Sequence, residues 1–361
     1  MSGSAVSGRL ATALGLLIAA TLPLQAQLPA PPVSAPGTLH VGGYAGGVVG
    51  FNAVEGSDYD AELTEAVAAL LLSGTLAAPL TWFTEVDLAA RGSENWTGRQ
   101  DDRTLELERL YLEYSFNDAL RLRAGRFLTP VGHWNENHAE PLTWTTLRPL
   151  ASYRPFAKSS TGLMVAGESA LSGHDVGYAV FLAPHALSHE LAEENAFLSA
   201  AGGRVVVELA PGFHLGASAV AFKGSRPEEP DEDDLGAVPE SAEHEARERD
   251  SERRALAGLD LSGFLGRTEL SAEGVLLSGS DVAPRERGAF VQLAHPLFRS
   301  VYGVARAEVY DPVDEVALWS GVLGVTWRPS ARWTIKLDRQ FTDTASSKVP
   351  AGWFFSISSL F

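Results

Sequence analysis

The chain has 361 residues, 45% of them hydrophobic and 20% charged, with a formal net charge of −17 and no cysteine. So acidic a protein is a poor partner for nucleic acid, and without thiols it forms no disulfide, no thiolate metal site and no lipoprotein lipid anchor. Mean hydropathy is near zero, a value shared by soluble proteins and by barrels whose strands alternate lipid-facing with water-facing residues.

Near the start, Arg9 precedes an apolar run from Leu10 to Leu22. The run is too short to span a bilayer comfortably, so residues 1–26 are expected to be a secretory signal peptide cleaved after Ala26. Residues 27–38, rich in proline and alanine, are expected to be a linker. Residues 39–361 then form the folded unit. No later stretch approaches ~18 consecutive apolar residues, so no transmembrane helix is expected.

From residue 39 onward the recurring unit is a run of about ten residues of alternating character, bounded by turn residues. Sixteen such runs are predicted as strands. The first eight are Leu39–Gly50, Glu62–Leu76, Leu80–Arg91, Thr104–Phe116, Ala119–Phe127, Thr161–Glu168, Asp175–Ala183 and Leu198–Leu209. The second eight are Phe213–Lys223, Arg254–Leu265, Arg267–Leu277, Arg287–His295, Arg299–Tyr310, Glu315–Trp327, Ala331–Phe341 and Gly352–Phe361. Connections alternate between short ones, such as Asn117–Asp118 and Ala210–Gly212, and long ones, such as Gly92–Arg103, Leu128–Ser160 and Gly224–Arg253. Only Asp311–Asp314 breaks the rhythm. An even strand number with short turns on one side and long loops on the other predicts a closed, antiparallel transmembrane β-barrel.

Individual strands carry the alternation. Leu120, Leu122 and Ala124 oppose Arg121 and Arg123, and Trp333, Ile335 and Leu337 oppose Thr334, Lys336 and Asp338. Val301, Gly303, Ala305, Ala307 and Val309 oppose Tyr302, Arg306, Glu308 and Tyr310. In Thr104–Phe116 the phase holds only if the strand slips near Glu108–Arg109, which predicts a bulge there. Glu62–Leu76 is apolar on both faces, so its phase is open. Trp82, Tyr114, Phe116, Phe213, Trp327, Trp333 and Trp353 lie near strand ends, as interfacial girdles require.

The closing segment WFFSISSLF resembles the C-terminal strand of Gram-negative outer-membrane proteins, with Phe361, Phe355 and Ile357 in the positions of the assembly signal and Ser359 departing from it. LRLRAGRFLTPVGHWNENH, residues 120–138, resembles the outer-membrane porin superfamily, including relatives of the phosphate-selective porins. The resemblance implies an outer-membrane location and handling by the barrel-assembly machinery. It also implies contact with outer-membrane lipid and lipopolysaccharide, assembly as a homotrimer, and a third long loop folded into the lumen. Here that loop is Leu128–Ser160, expected to place Glu136, Glu140, Arg148 and Arg154 opposite Arg121, Arg123 and Arg126 across a constriction. The alternative is a surface loop packed over the mouth.

The strand phases put Glu85, Asp87, Glu106, Glu108, Glu113, Glu208, Asp260, Glu269, Glu273, Glu308 and Asp338 inside, with Arg91, Arg109, Arg121, Arg123, Arg204, Arg306 and Lys336. Acids outnumber bases, which favours cations modestly. His133, Glu136 and His138 offer metal-ligand types at a spacing that fits no zinc motif. His185 and His189, followed by glutamates, are read as a solvated loop, so no metal or cofactor is expected. No P-loop, dinucleotide fingerprint or nucleophile elbow is present, and no enzymatic activity is expected. The function expected is a porin-type channel for passive diffusion of small hydrophilic solutes or ions. The alternative is a non-channel barrel acting through its acidic 224–253 loop, in adhesion or in lipopolysaccharide and divalent-cation binding.

Overall fold

A two-residue repeat of oily and polar side chains drives the chain into extended strands whose opposite faces meet different solvents. The computed structural model describes residues 37–53, 61–95, 98–152, 155–184, 197–224, 252–278, 285–311, 317–343 and 351–361. The expected signal peptide, Arg154, His185, His189 and the acidic stretch of residues 225–251 lie outside the described residues.

Sixteen strands follow in order. They are β1 (Leu39–Ala53), β2 (Ala61–Ala77), β3 (Leu80–Asn95), β4 (Gly98–Asn117), β5 (Leu120–Leu128), β6 (Ser159–Leu171), β7 (His174–Ala183) and β8 (Phe197–Ala210). Then come β9 (Phe213–Gly224), β10 (Glu252–Leu265), β11 (Thr268–Leu277), β12 (Glu286–Phe298), β13 (Val301–Asp311), β14 (Leu318–Trp327), β15 (Trp333–Thr342) and β16 (Ala351–Leu360). Each pairs antiparallel with its chain neighbours, and β1 closes on β16 from Tyr44↔Leu360 to Ala53↔Ala351. Closure matters because an unpaired backbone group in hydrocarbon costs several kcal/mol. Among the described residues no helix is long and apolar enough to cross a membrane.

The side chain of Arg91 lies outside the described ones; among those described, the predicted phases hold. On β15, Leu337 is 47% exposed on the outer surface while its neighbour Lys336 is fully buried inside. On β13, Arg306, Glu308 and Tyr310 are buried inside and Val309 faces out. β2, whose phase the sequence left open, turns Ala69, Ser73 and Thr75 inward and Leu70 and Leu76 outward. The bulge also lies where the alternation slipped: Glu85 pairs with Arg109 and Val86 with Leu107, so Glu108 is the extra residue. Both Glu108 and Arg109 are thereby buried in the lumen.

One expectation needs correction. Gly92–Arg103 was expected to be a long loop, yet β3 and β4 continue pairing as far as Asn95↔Gly98. Beyond the lipid neither face has to be oily, so a ladder held by backbone hydrogen bonds can continue through a polar sequence without alternation. The predicted girdle aromatics Tyr114, Phe116, Trp327 and Trp333 are exposed near the short-turn end, and Trp353 near the long-loop end. There it is joined by Phe51, Trp319 and Phe341, also exposed.

Candidate functional site

At the end of β5 the chain turns inward rather than upward. Phe127 and Leu128 are buried, and Val131, Phe156 and Ala157 pack with Phe181, Phe222, Leu256 and Leu277 from the inner wall. Gly132 makes the turn possible. Its φ is +69°, and a Cβ there would collide with the Glu273 carboxylate. A single helical turn follows, α1 (His133–Glu136), and later a 3-10 turn at Leu150–Ser152.

Asn135 staples the loop to itself. Its Nδ2 donates to the carbonyls of Thr129 (2.8 Å) and Lys158 (3.0 Å), where the loop leaves and rejoins the wall. Its Oδ1 accepts from Arg148 Nη2 at 2.9 Å, and the same guanidinium nitrogen donates to the Ser152 carbonyl at 2.8 Å.

The wall then binds the loop backbone with its inward polar side chains. Three carboxylates each accept a loop N–H: Glu273 from Trp134 (2.5 Å), Asp338 from Thr146 (2.6 Å) and Glu308 from Ala151 (3.2 Å). Five side chains donate to loop carbonyls: Lys336 to Glu140 (2.8 Å), Thr334 to Pro141 (2.8 Å), Arg328 to Leu142 (2.9 Å), Thr326 to Trp144 (2.8 Å) and Arg306 to Leu147 (2.7 Å). Irregular backbone at membrane depth is tolerated only where protein or cavity water satisfies it, and here the wall supplies the partners. Aromatic contacts add to this. Trp134 meets Phe290 edge-on at 5.8 Å, and Trp144 packs against Tyr302 at 4.7 Å.

These contacts reach strands on every side. On the β1–β2 side Ala139 packs with Tyr44 and Ala69. At the β4 bulge, Glu108 takes Lys158 Nζ at 2.5 Å and stands 2.7 Å from His138 Nε2. On β8 and β10, Glu136 bonds to Arg204, which also bonds Asp260 at 2.7 Å. The loop therefore lies inside the barrel and is tied to the wall on several sides. Burial pushes the carboxyls of Glu136 and Glu140 above the usual range, while Arg204 and Lys336 respectively pull the other way. Burial, reinforced by the nearby Arg204 charge, lowers His133 to about 4, although the residue as a whole is only half-buried.

Glu136 shares a recess with Arg121 and Arg123, while the close contacts of these charges are local pairs. Arg123 bonds Glu113 at 2.7 Å and lies over the Tyr111 ring, Arg126 stands 3.8 Å from Glu106, and Arg121 stands 3.6 Å from Glu168. Glu136 and Glu140 choose Arg204 and Lys336, and Arg148 turns back into its own loop. Inside the barrel a charge held without its counter-ion is costly, so each takes the nearest partner. Arg306, Glu308, Lys336 and Asp338 all face the lumen and hold the loop. The roles of Asn135 and Lys158 had no sequence signal, because an isolated polar residue in a loop has no phase to read.

His133, Glu136 and His138 diverge, the first lying against Asn137, the second on Arg204 and the third on Glu108. The carboxylates of Glu85, Asp87 and Glu108 do converge, with oxygens within 4.8 Å of one another. Arg109 and Lys158 pair with Glu85 and Glu108 of this group. At the barrel seam, the Phe361 N–H donates to the Gly43 carbonyl (3.0 Å) and the Gly43 N–H to the Phe361 carbonyl (3.1 Å), with Phe355 and Ile357 facing outward.

No protein-family profile matches the chain, and no curated protein sequence matches it. Solved structures do. OmpF of Salmonella typhi, in complex with daunomycin, is similar at 12% identity and a TM-score of 0.59, over 90% of this chain and 97% of that one. The anion-selective porin from Comamonas acidovorans is similar at 13% identity and a TM-score of 0.57, over 90% and 99%. The trimer form of OmpT, an outer membrane protein of Vibrio cholerae, is similar at 10% identity and a TM-score of 0.53, over 90% and 99%. With its sixteen closed antiparallel strands and its inward-folded loop, the chain has the fold of the Gram-negative outer-membrane porins.

Proposed function

We propose that this protein is a porin-type channel of the outer membrane, passing small hydrophilic solutes or ions through a lumen narrowed by the 128–160 loop. The single observation that supports it most is a closed barrel with an oily exterior and an interior of paired charges, crossed by one loop whose backbone the wall binds. About sixteen strands enclose a lumen wide enough for water, and the loop then sets the aperture. In this reading residues 1–26 direct export, Phe361 serves the assembly machinery, lipid and lipopolysaccharide surround the exposed belt, and the barrels associate as trimers. The trimer form of the similar Vibrio cholerae protein supports that last point.

Planar-bilayer recording tests the proposal. Wild type should give small, well-defined conductance steps, and loosening the loop with Asn135→Ala should enlarge them. If neither protein conducts while both remain folded, the channel reading fails.

The extent of burial inside the barrel favours one second reading, a plugged barrel that acts through its acidic outer segment in adhesion or in binding lipopolysaccharide through divalent cations. Deleting residues 225–251 should then abolish surface binding and leave permeability unchanged.

A further inference from the structure

Beneath the loop, on the side of the short turns, the inner wall leaves a recess open to solvent, with about 500 Å³ of empty space when the adjoining open water is counted. Arg121 and Arg123 of β5, Glu168 of β6 and Arg204 of β8 line it, and Glu136 of the loop joins them. Met164, Ala166 and Val206 supply a small apolar patch, all three buried.

The charged groups differ in how far they are committed. Arg123 gives both Nε and Nη2 to Glu113. Arg204 is shared between Asp260 and Glu136. Arg121 is different: its Nε is buried with no hydrogen-bond partner, and among the described residues its ion pair is to Glu168, open to 3.6 Å. Glu168 in turn keeps 41% of its side chain exposed, against 17% for Arg121. A guanidinium presents five donors in a fixed fork that suits a carboxylate. An exposed carboxylate beside it can accept an ammonium.

We propose that this recess is a subsite for small aliphatic zwitterions, with the solute carboxylate on Arg121, its ammonium on Glu168 and its aliphatic body against Met164, Ala166 and Val206. A simple anion would gain Arg121 but meet Glu136 and Glu168. A simple cation would gain Glu168 but meet three guanidiniums. Only a solute carrying both charges is complementary to the loose pair. The inference deepens the channel reading by naming a solute class, and it rests on that reading for its part in passage.

The test compares L-alanine with propionate, which lacks the ammonium, and ethylammonium, which lacks the carboxylate. Ligand-observed NMR on the folded, detergent-solubilised barrel measures binding, and bilayer recording is carried out separately. L-Alanine should bind at least tenfold more tightly than either fragment. Arg121→Gln and Glu168→Gln should each weaken it at least fivefold, with Arg121→Lys retaining the fold and part of the binding. Propionate binding as tightly as L-alanine overturns the proposal in favour of an anion site. No L-alanine binding by a protein that conducts overturns the subsite and leaves the channel standing. Binding without conductance supports the subsite and removes the channel.

Discussion

Lys336 of β15 places its Nζ 2.8 Å from Glu140 Oε1 and 2.7 Å from Thr143 Oγ1, tying the middle of the lumen loop to the wall. Lysine has three donors and no acceptor, and here they are met by a carboxylate, a hydroxyl and the Glu140 carbonyl. Removing the ammonium strands Glu140 in a buried setting. Lys336→Met should therefore destabilise loop docking by roughly 3–5 kcal/mol, and Lys336→Met with Glu140→Gln should recover more than half. Hydrogen exchange across residues 139–147 would measure both; equal protection in wild type and the single variant would refute the role.

Asn135 closes the base of the loop with three hydrogen bonds. Asn135→Ala leaves two carbonyls and a guanidinium short of a partner, a cost of roughly 2–4 kcal/mol. Limited proteolysis in detergent should cut within residues 128–160 at a rate at least tenfold above wild type, with the barrel intact.

Gly132 and Gly173 both adopt positive φ, +69° and +85°. Around Gly173 there is nothing within 4 Å for a Cβ to meet, whereas at Gly132 it meets Glu273. Gly173→Ala should thus cost only the left-handed penalty, about 1 kcal/mol. Gly132→Ala should cost more and shift the loop, which a change in single-channel conductance confined to that variant would show.

His133 is held neutral by burial and by Arg204, with its pKa lowered from 6.5 to about 4. The unfolded segment takes up the proton first, so this contribution to loop docking is complete above pH 6.5 and is lost as pH falls toward 4. Glu136 and Glu140, raised by burial, act in the opposite sense. The difference between wild type and His133→Gln isolates the imidazole. Hydrogen exchange of residues 132–138 should accelerate more steeply in wild type between pH 6.5 and 4.5, and identical pH profiles would sink the assignment.

Phe361 is 65% exposed yet its backbone closes the seam with Gly43. Deleting it removes two hydrogen bonds, about 1–3 kcal/mol, and little packing. Barrels refolded in detergent should keep a heat-dependent electrophoretic shift near that of wild type, whereas the amount assembled in cells should fall several-fold. Equal losses in both settings would make Phe361 a structural residue alone.

Strand number, inside and outside, and even the Glu108 bulge were legible in the residues, because lipid enforces a local rule at every second position. Lys336 beside Leu337 needs no partner to be assigned a face. Where lipid exerts no demand the rule fails, as at Gly92–Arg103, whose ladder continues through polar sequence. The partners of Glu136, Glu140 and Arg148 were not legible for a different reason. They depend on where a 30-odd-residue loop meets strands far away in sequence, and Arg204, Lys336 and Glu273 are brought to it only by closure of the barrel.

By itself, then, the sequence determined a cylinder with oil outside and charge within, since each side chain answers to its own solvent. Tertiary structure decided between lumen and mouth for the loop, chose the wall groups that hold it, and left Arg121 Nε without a hydrogen-bond partner. Those outcomes follow from cross-barrel distances and shared burial, quantities that no local pattern contains.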